Sequence, residues 1–155
     1  MDFDAMAQRC APLVAPATAR ALVEVESGFD PLAIHVNGGR LERQPKNLRE
    51  AIATAVALRT TGWDFDLGLA QINVRNVDRF GVSLTQAFDP CTNLRLMQRI
   101  LMDCFARASK RSDGFDQIAL RDALSCYNTG NFREDFGRGY VGRIFKAARS
   151  AMKKR

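Results

Sequence analysis

Glu26 is the residue whose surroundings in the chain best suit acid chemistry. It continues the series Ala19, Leu22 and Val23, which a helix of about 3.6 residues per turn gathers on one face, whereas Glu24 falls on roughly the opposite side and is expected in solvent. A carboxylate among aliphatic side chains loses hydration, so its ionised form is penalised and its pKa rises toward neutrality. Such a group holds a proton at working pH and can give it to a glycosidic oxygen as the bond to the leaving sugar breaks. Taken alone, the periodicity is more often that of a capped or salt-bridged residue near a helix end. Asp64 and Asp66 stand just before the run Gly68-Leu69-Ala70-Gln71-Ile72-Asn73. Asp66 reads either as the cap of a turn or, opposite Glu26, as the group that positions a hydrolytic water.

The other reactive residue types are sparse. His35 is the sole histidine, it has no neighbouring ligands, and neither a metal site nor a cofactor is expected. Cys10, Cys91, Cys104 and Cys126 lack the CxxC spacing of a zinc site. If the segment after Pro90 is one helix, Cys91 and Cys104 lie roughly 20 Å apart along it, beyond the ~7 Å between Cα atoms that a disulfide spans. That leaves Cys10 with Cys91 and Cys104 with Cys126, or Cys10 with Cys104 and Cys91 with Cys126, or reduced thiols in a core. Trp63 with Phe65 can serve as a sugar-stacking platform at a cleft mouth or be buried beneath a small lobe.

The elements that must position these residues are mostly helices joined by short polar turns. The first runs from Pro16, suited to a first helical turn, to Ser27, and ends before Gly28. A short hairpin is expected around Val36-Asn37-Gly38-Gly39-Arg40-Leu41, since Asn-Gly is a favoured two-residue turn. Asn47 with Glu50 marks the start of a second helix that closes at Gly62. Asn73 caps a short helix through Phe80, and Ser83 a further turn to Phe88. Asp89-Pro90 opens the longest helix, to about Ser109, with Leu94, Met97, Leu101, Cys104, Phe105 and Ala108 inward. One more spans about Asp116 to Tyr127, followed by the turn Asn128-Thr129-Gly130-Asn131. The last spans about Tyr140 to Met152, with Val141, Ile144, Phe145, Ala148 and Met152 facing inward. The fold class is mainly α, in one domain over residues 1–155 with a basic, frayed end at 152–155.

Three separated segments, Glu26-Ser27, then Gly68-Leu69-Ala70-Gln71-Ile72-Asn73, then Tyr127-Asn128-Thr129-Gly130, together resemble the signature of the soluble-type (SLT) lytic transglycosylases of glycoside hydrolase family 23. With Val36-Asn37-Gly38-Gly39, Asp89-Pro90-Cys91 and the cysteine before Tyr127, they look most like the specialised transglycosylase of type IV secretion and conjugation systems. The resemblance covers nearly the whole chain. It implies a lysozyme-like fold, with a helical body, a small lobe, and a catalytic Glu ending a helix at the floor of the cleft between them. It also implies cleavage of the MurNAc–GlcNAc β-1,4 bond in peptidoglycan to a 1,6-anhydro sugar, with Glu26 as the catalytic acid. Gln71 is then expected to hydrogen-bond the substrate, Tyr127 to direct its hydroxyl toward Glu26 and the sugar, and Ser27 and Asn128 to act as supports. A phenol and an amide suit a neutral, oxygen-rich sugar because they add no full charge. Gly68 and Gly130 are expected to serve backbone geometry. Ala70 departs from the Met common at that place and opens that part of the cleft. The implied location is the periplasm, where two disulfides are reasonable. The implied partners are glycan strands and secretion components, with the enzyme a monomer.

Charge supports a competing class. Residues 1–132 carry fifteen basic and fifteen acidic side chains, so the net +6 arises from Arg133 onward. A basic end favours a polyanion, which keeps open a helical nucleic-acid-binding module or a non-catalytic wall-binding protein, against a plain solvated helix face. With 46% hydrophobic and 26% charged residues and no long apolar run, the chain is not expected to span a bilayer. Its start lacks the basic flank and continuous apolar centre of a secretory signal.

Overall fold

The computed structural model describes residues 2–111, 116–129 and 139–153. Gly130, Asn131, the first part of the basic end (133–138) and the tail residues Lys154 and Arg155 lie outside the described residues.

Asp2 accepts from the Asp4 amide and starts α1 (Phe3–Cys10), a helix the sequence reading did not include. Arg20 fastens it to the next helix by an ion pair to Asp4 at 2.9 Å, and lies over the rings of Phe3 and Phe29. Pro16 occupies the first turn of α2 (Pro16–Ser27), where a missing N–H costs nothing, and Gly28 ends the helix in the left-handed conformation. Ala19, Leu22 and Val23 are buried and Glu24 is exposed, as the periodicity requires.

The sheet has three antiparallel strands in the order β1 (Ile34–Val36), β2 (Phe65–Leu67) and β3 (Ile72–Asn73). It replaces the expected hairpin at residues 36–41. β1 pairs with β2 from far along the chain, Ile34 opposite Leu67 and Val36 opposite Phe65. The Asn37-Gly38 turn leads away from the sheet instead of returning a strand. Gln44 explains why: its side-chain amide binds both the N–H and the C=O of Ile34, at 2.9 Å each, and so occupies the edge where a returning strand would pair. The alternation of the strands separates two faces. Ile34, Val36, Phe65, Leu67 and Ile72 are buried, while His35, Asp66 and Asn73, aligned in register, belong to the other face.

Between β1 and β2 runs α3 (Leu48–Thr60), capped by Asn47 through the Glu50 amide; Arg43 grips Glu50 with two bonds of 2.8 and 3.1 Å. After β3 come α4 (Val74–Arg79), capped by Asn73, and α5 (Leu84–Phe88), closed by a reciprocal Ser83–Gln86 capping box. The long α6 (Pro90–Arg111) packs along α7 (Asp116–Thr129), and α8 (Tyr140–Lys153) lies against α2. Leu94, Met97, Leu101, Cys104 and Ala108 of α6 are buried, with Phe105 partly so. On α8, Tyr140 and Ile144 are buried but Met152, expected to face inward, is 68% exposed in the last turn of the helix. Mainly α with a small antiparallel sheet is the fold class read from the sequence.

Two disulfides clamp α6. Cys10–Cys91 ties its start to the end of α1, and Cys104–Cys126 its middle to α7, with Cα atoms 5.2 and 5.8 Å apart. Of the two pairings the sequence left open, this is the first.

Asn93 on α6 is fully buried, with its side-chain oxygen and amide both engaged by backbone. Asn93→Ala strands one buried N–H and two buried carbonyls, and is expected to lose on the order of 3 kcal/mol of stability in urea denaturation. Chain-entropy arguments rank the disulfides: opening the 81-residue separation of Cys10–Cys91 is expected to cost about 4–5 kcal/mol, and the 22-residue separation of Cys104–Cys126 about 3. Denaturation of the two double Ser variants checks that order.

Candidate active site

The four-residue turn from β2 to β3 exposes backbone groups that no strand satisfies, and side chains from three helices converge on it. Its successive carbonyls are taken one by one. Asn93 Nδ2 donates to Leu67 O at 3.1 Å, Gln71 Nε2 to Gly68 O at 3.0 Å, Ser27 Oγ to Leu69 O at 2.7 Å, and Tyr127 OH to Ala70 O at 2.7 Å. Asn93 Oδ1 closes the set by accepting from Ala70 N at 2.8 Å. Gly68 sits at φ 82°, and a Cβ there would overlap the Asn93 amide, so the close approach demands glycine. Gln71 is left-handed without being glycine, at φ 52°, a conformation that costs an L-residue about 1–2 kcal/mol. Its own amide bonds to the carbonyls of Gly68 and Ala33 hold it there.

Glu26 belongs to the last turn of α2, one face of which is buried against the core. Its carboxyl Oε1 accepts from Tyr140 OH at 2.6 Å, a contact between residues 114 apart in sequence that depends on α8 lying across α2. Burial raises the Glu26 pKa from 4.5 to about 7; the Tyr140 bond and the Arg143 charge oppose that rise, and the Asp66 charge adds to it. Burial also raises Asp66, against the lowering bonds from Asn73 and Asn37, with Asp64 pushing it further up and His35 pulling it down. Tyr127 is pushed well above the ordinary phenol range by burial, reinforced by the negative Glu26 and Asp66. Its hydroxyl therefore remains a neutral hydrogen-bonding group.

Glu26, Asp66, Gln71, Tyr127 and Asn128 line one cleft of about 430 Å³. Ser27 stands behind it, its hydroxyl turned to the backbone of Leu69 and Val23. Tyr127 reaches the cleft, but its proton goes to Ala70 O instead of Glu26, because that buried carbonyl has no strand partner. Gln71 gives its N–H donors to backbone as well, leaving the amide oxygen as the acceptor it can offer the cleft. Asp66 is held by two amides: Asn73 Nδ2 reaches Asp66 Oδ1 at 2.9 Å and Asp64 Oδ1 at 2.8 Å, and Asn37 Nδ2 reaches Asp64 Oδ2 at 3.0 Å and Asp66 Oδ2 at 3.4 Å. Asn73 thus combines its helix cap with a bridge between carboxylates. Phe65 is fully buried on the apolar face of the sheet and cannot stack on a ligand; Trp63 is 45% exposed and packs beside Gly39. Among the described residues no group of three or more His, Cys, Asp or Glu converges to hold a metal ion.

Sequence reasoning missed Tyr140, Asn93 and Asn37. Tyr140 carried one usable signal, since with Ile144 it heads the buried stripe of α8. Asn93 carried another: a lone amide four residues before Met97 on the inward side of α6. Nothing local to Asn37 sets it apart from a turn residue.

The model of the Transglycosylase SLT domain matches residues 5–146 of this chain. A type IV secretion system protein virB1 of Brucella abortus is 54% identical over 136 residues, 88% of this chain and 57% of the relative. The proteins named virB1 of Agrobacterium fabrum and Rhizobium radiobacter are 37% identical over 147 residues and 38% over 149, covering 95% and 96% of this chain and 59% and 62% of theirs. The chain thus spans about three fifths of the length of these relatives. No solved structure matches significantly. With the matched region reaching from α1 to α8 and holding every cleft residue described above, the chain belongs to the Transglycosylase SLT domain family.

Proposed function

We propose that this chain is a peptidoglycan lytic transglycosylase, cleaving the MurNAc–GlcNAc β-1,4 bond and leaving a 1,6-anhydro-MurNAc end. The observation that carries this reading is the Glu26 carboxyl, with its pKa raised to about 7 and its oxygen in the grip of Tyr140, on the wall of a cleft where Gln71, Tyr127 and Asn128 also stand. Protonated, Glu26 gives its proton to the glycosidic oxygen as the bond breaks. Now ionised, it draws the proton from the muramic 6-hydroxyl, which closes on the anomeric carbon. The carboxyl is regenerated and no water is consumed, so one acid serves both halves of the reaction. A pKa near neutrality suits a group that must be acid and base in turn.

In this reading the Gln71 oxygen accepts from sugar hydroxyls or N-acetyl groups, and Asn128, exposed at the cleft, offers its amide. Tyr127 presents the remaining lone pair of its hydroxyl, and Ser27 positions the turn on which they depend. The relatives named as type IV secretion proteins support a role in opening the wall locally for a secretion apparatus. Two disulfides suit an oxidising compartment, which supports the periplasm as the place of action. Among the described residues no helix is long and apolar enough to cross a membrane.

Asp66 on the same cleft favours a second reading, a hydrolytic lysozyme in which it directs water opposite Glu26. Mass spectrometry of products from purified sacculi separates the two: anhydro ends are expected, and reducing ends would sustain the hydrolytic reading.

Glu26→Gln is expected to lower turnover on sacculi by about 10²–10⁴-fold with the fold intact. Turnover of the wild type should decline as pH rises through about 7, where the acid loses its proton. Stability follows the same group. Folding raises the pKa, so the stabilisation is fully present below 4.5 and lost as pH climbs through about 7. Glu26→Gln is therefore expected to exceed the wild type by on the order of 2 kcal/mol at pH 8 and to match it at pH 4, read by urea denaturation. Tyr140→Phe removes a bond that favours the ionised acid. Its expected signature is an alkaline limb displaced upward in the pH–rate profile, together with a lower maximum rate; an unmoved limb would mean that Tyr140 merely fills space.

A further inference from the structure

The arm of the cleft formed by α4 and α6 has a different character from the wall around Glu26. It is lined by Arg75, Arg79 and Phe80 from one side and by Ile100, Asp103 and Arg107 from the other. Arg75 and Arg79 are four residues apart, so one face of α4 presents both. Arg79 and Arg99 lie over the same Phe80 ring, 5.0 and 4.1 Å from its centroid. Two guanidiniums are thereby held within about a Debye length (~10 Å at 0.1 M salt) of each other. Nearby acids do not neutralise them. Asp78 is engaged by Arg59 at 2.7 Å, and Asp103 lies 3.9 Å from Arg107. Among the described residues no carboxylate pairs with Arg75, Arg79 or Arg99.

An uncharged sugar has no need of the unpaired Arg75 and Arg79 on the cleft wall with Arg99 beside them, and a bound anion would relieve their mutual repulsion. Planar forks match carboxylates and bind them with two parallel bonds. A regularly charged polyanion such as DNA fits poorly, because the same cleft is lined by Asp64 and Asp66, which repel it. A peptidoglycan strand divides its charge in the matching way: neutral sugars run along the chain, and carboxylates sit on the peptide attached to each muramic lactyl group. We propose that Arg75 and Arg79, with Arg99 stacked on Phe80, form a carboxylate-binding subsite that recognises the stem peptide and directs the enzyme to peptide-bearing strands. This builds on the transglycosylase reading of the same cleft.

The test compares uncross-linked glycan strands whose peptide carboxylates are intact with the same strands after conversion of those carboxylates to amides. Binding is measured by calorimetry on the Glu26→Gln chain and cleavage on the wild type. The intact strands are expected to bind about tenfold more tightly, with the difference shrinking as salt is raised. Adding Arg75→Gln and Arg79→Gln should abolish the preference, while Lys46→Gln with Arg49→Gln, an equal loss of charge before and on α3, should keep it. Equal affinity of the Glu26→Gln chain for both strands, or a preference that survives loss of the two arginines, overturns the subsite. So does a loss of affinity for a DNA duplex in the arginine variant while its preference between the strands is unchanged. A binding preference without cleavage by the wild type keeps the subsite and overturns the transglycosylase reading.

Discussion

The cleft depends on satisfying a short stretch of backbone. From Leu67 to Ala70 the chain must turn between β2 and β3 while buried, and an unpaired buried carbonyl costs about 1–3 kcal/mol. Four side chains, with the Gln71 N–H that also donates to Gly68 O, meet that demand: Ser27 from α2, Asn93 from α6, Tyr127 from α7, and Gln71 at the end of the turn itself. The result joins the small sheet to the helical body at successive points along one turn. It also places the wall carrying Gln71 at a set distance from the end of α2, where Glu26 resides. Residues whose types suggested sugar binding therefore owe much of their placement to the scaffold, and offer a ligand only the hydrogen-bonding capacity that remains.

On that scaffold the acid is tuned by opposing influences. Burial drives the Glu26 carboxyl toward its neutral form, and the nearby Asp66 charge pushes the same way. The Tyr140 hydroxyl and the Arg143 charge, both from α8, pull it back. The balance lies near neutrality, where one group can give and take a proton with little cost either way. Because α8 supplies both restraining groups, the packing of the last helix against α2 is part of the chemistry as well as part of the core.

α6 is the member through which most of these restraints pass. The two disulfides fix it to α1 and α7, Asn93 connects it to the turn, Arg107 carries charge to the cleft arm, and Arg99 lies over the Phe80 ring that lines it. Arg107 also donates to the sulfur of Cys126 at 3.0 Å, so the bridge and the charge are neighbours. A chain of this size gains from such cross-links, since its core must hold a cleft open as well as fill space.

Much of the architecture was legible along the chain. The apolar series ending at Glu26, the caps at Asn47, Asn73 and Ser83, and Pro90 at the head of α6 are local signals, each governed by residues within a turn or two, and all appear where periodicity and capping place them. The expected hairpin failed because strand pairing is not local: Gln44 covers the free edge of β1, and the partner strand comes from beyond α3. The expected direction of the Tyr127 hydroxyl failed, and the role of Tyr140 was missed, for a related reason. Either phenol can bond a carboxylate, and which one reaches Glu26 depends on how α7 and α8 lie against α2 and on which buried carbonyl is short of a partner. Sequence by itself determined that Glu26 sits on an apolar helix face and that Cys91 cannot pair with Cys104, since both follow from helix geometry alone. Only the tertiary structure decided what holds the acid, which of the two cysteine pairings forms, and where the unpaired arginines gather, because those are contacts between elements that the spacing of residues along a chain does not encode.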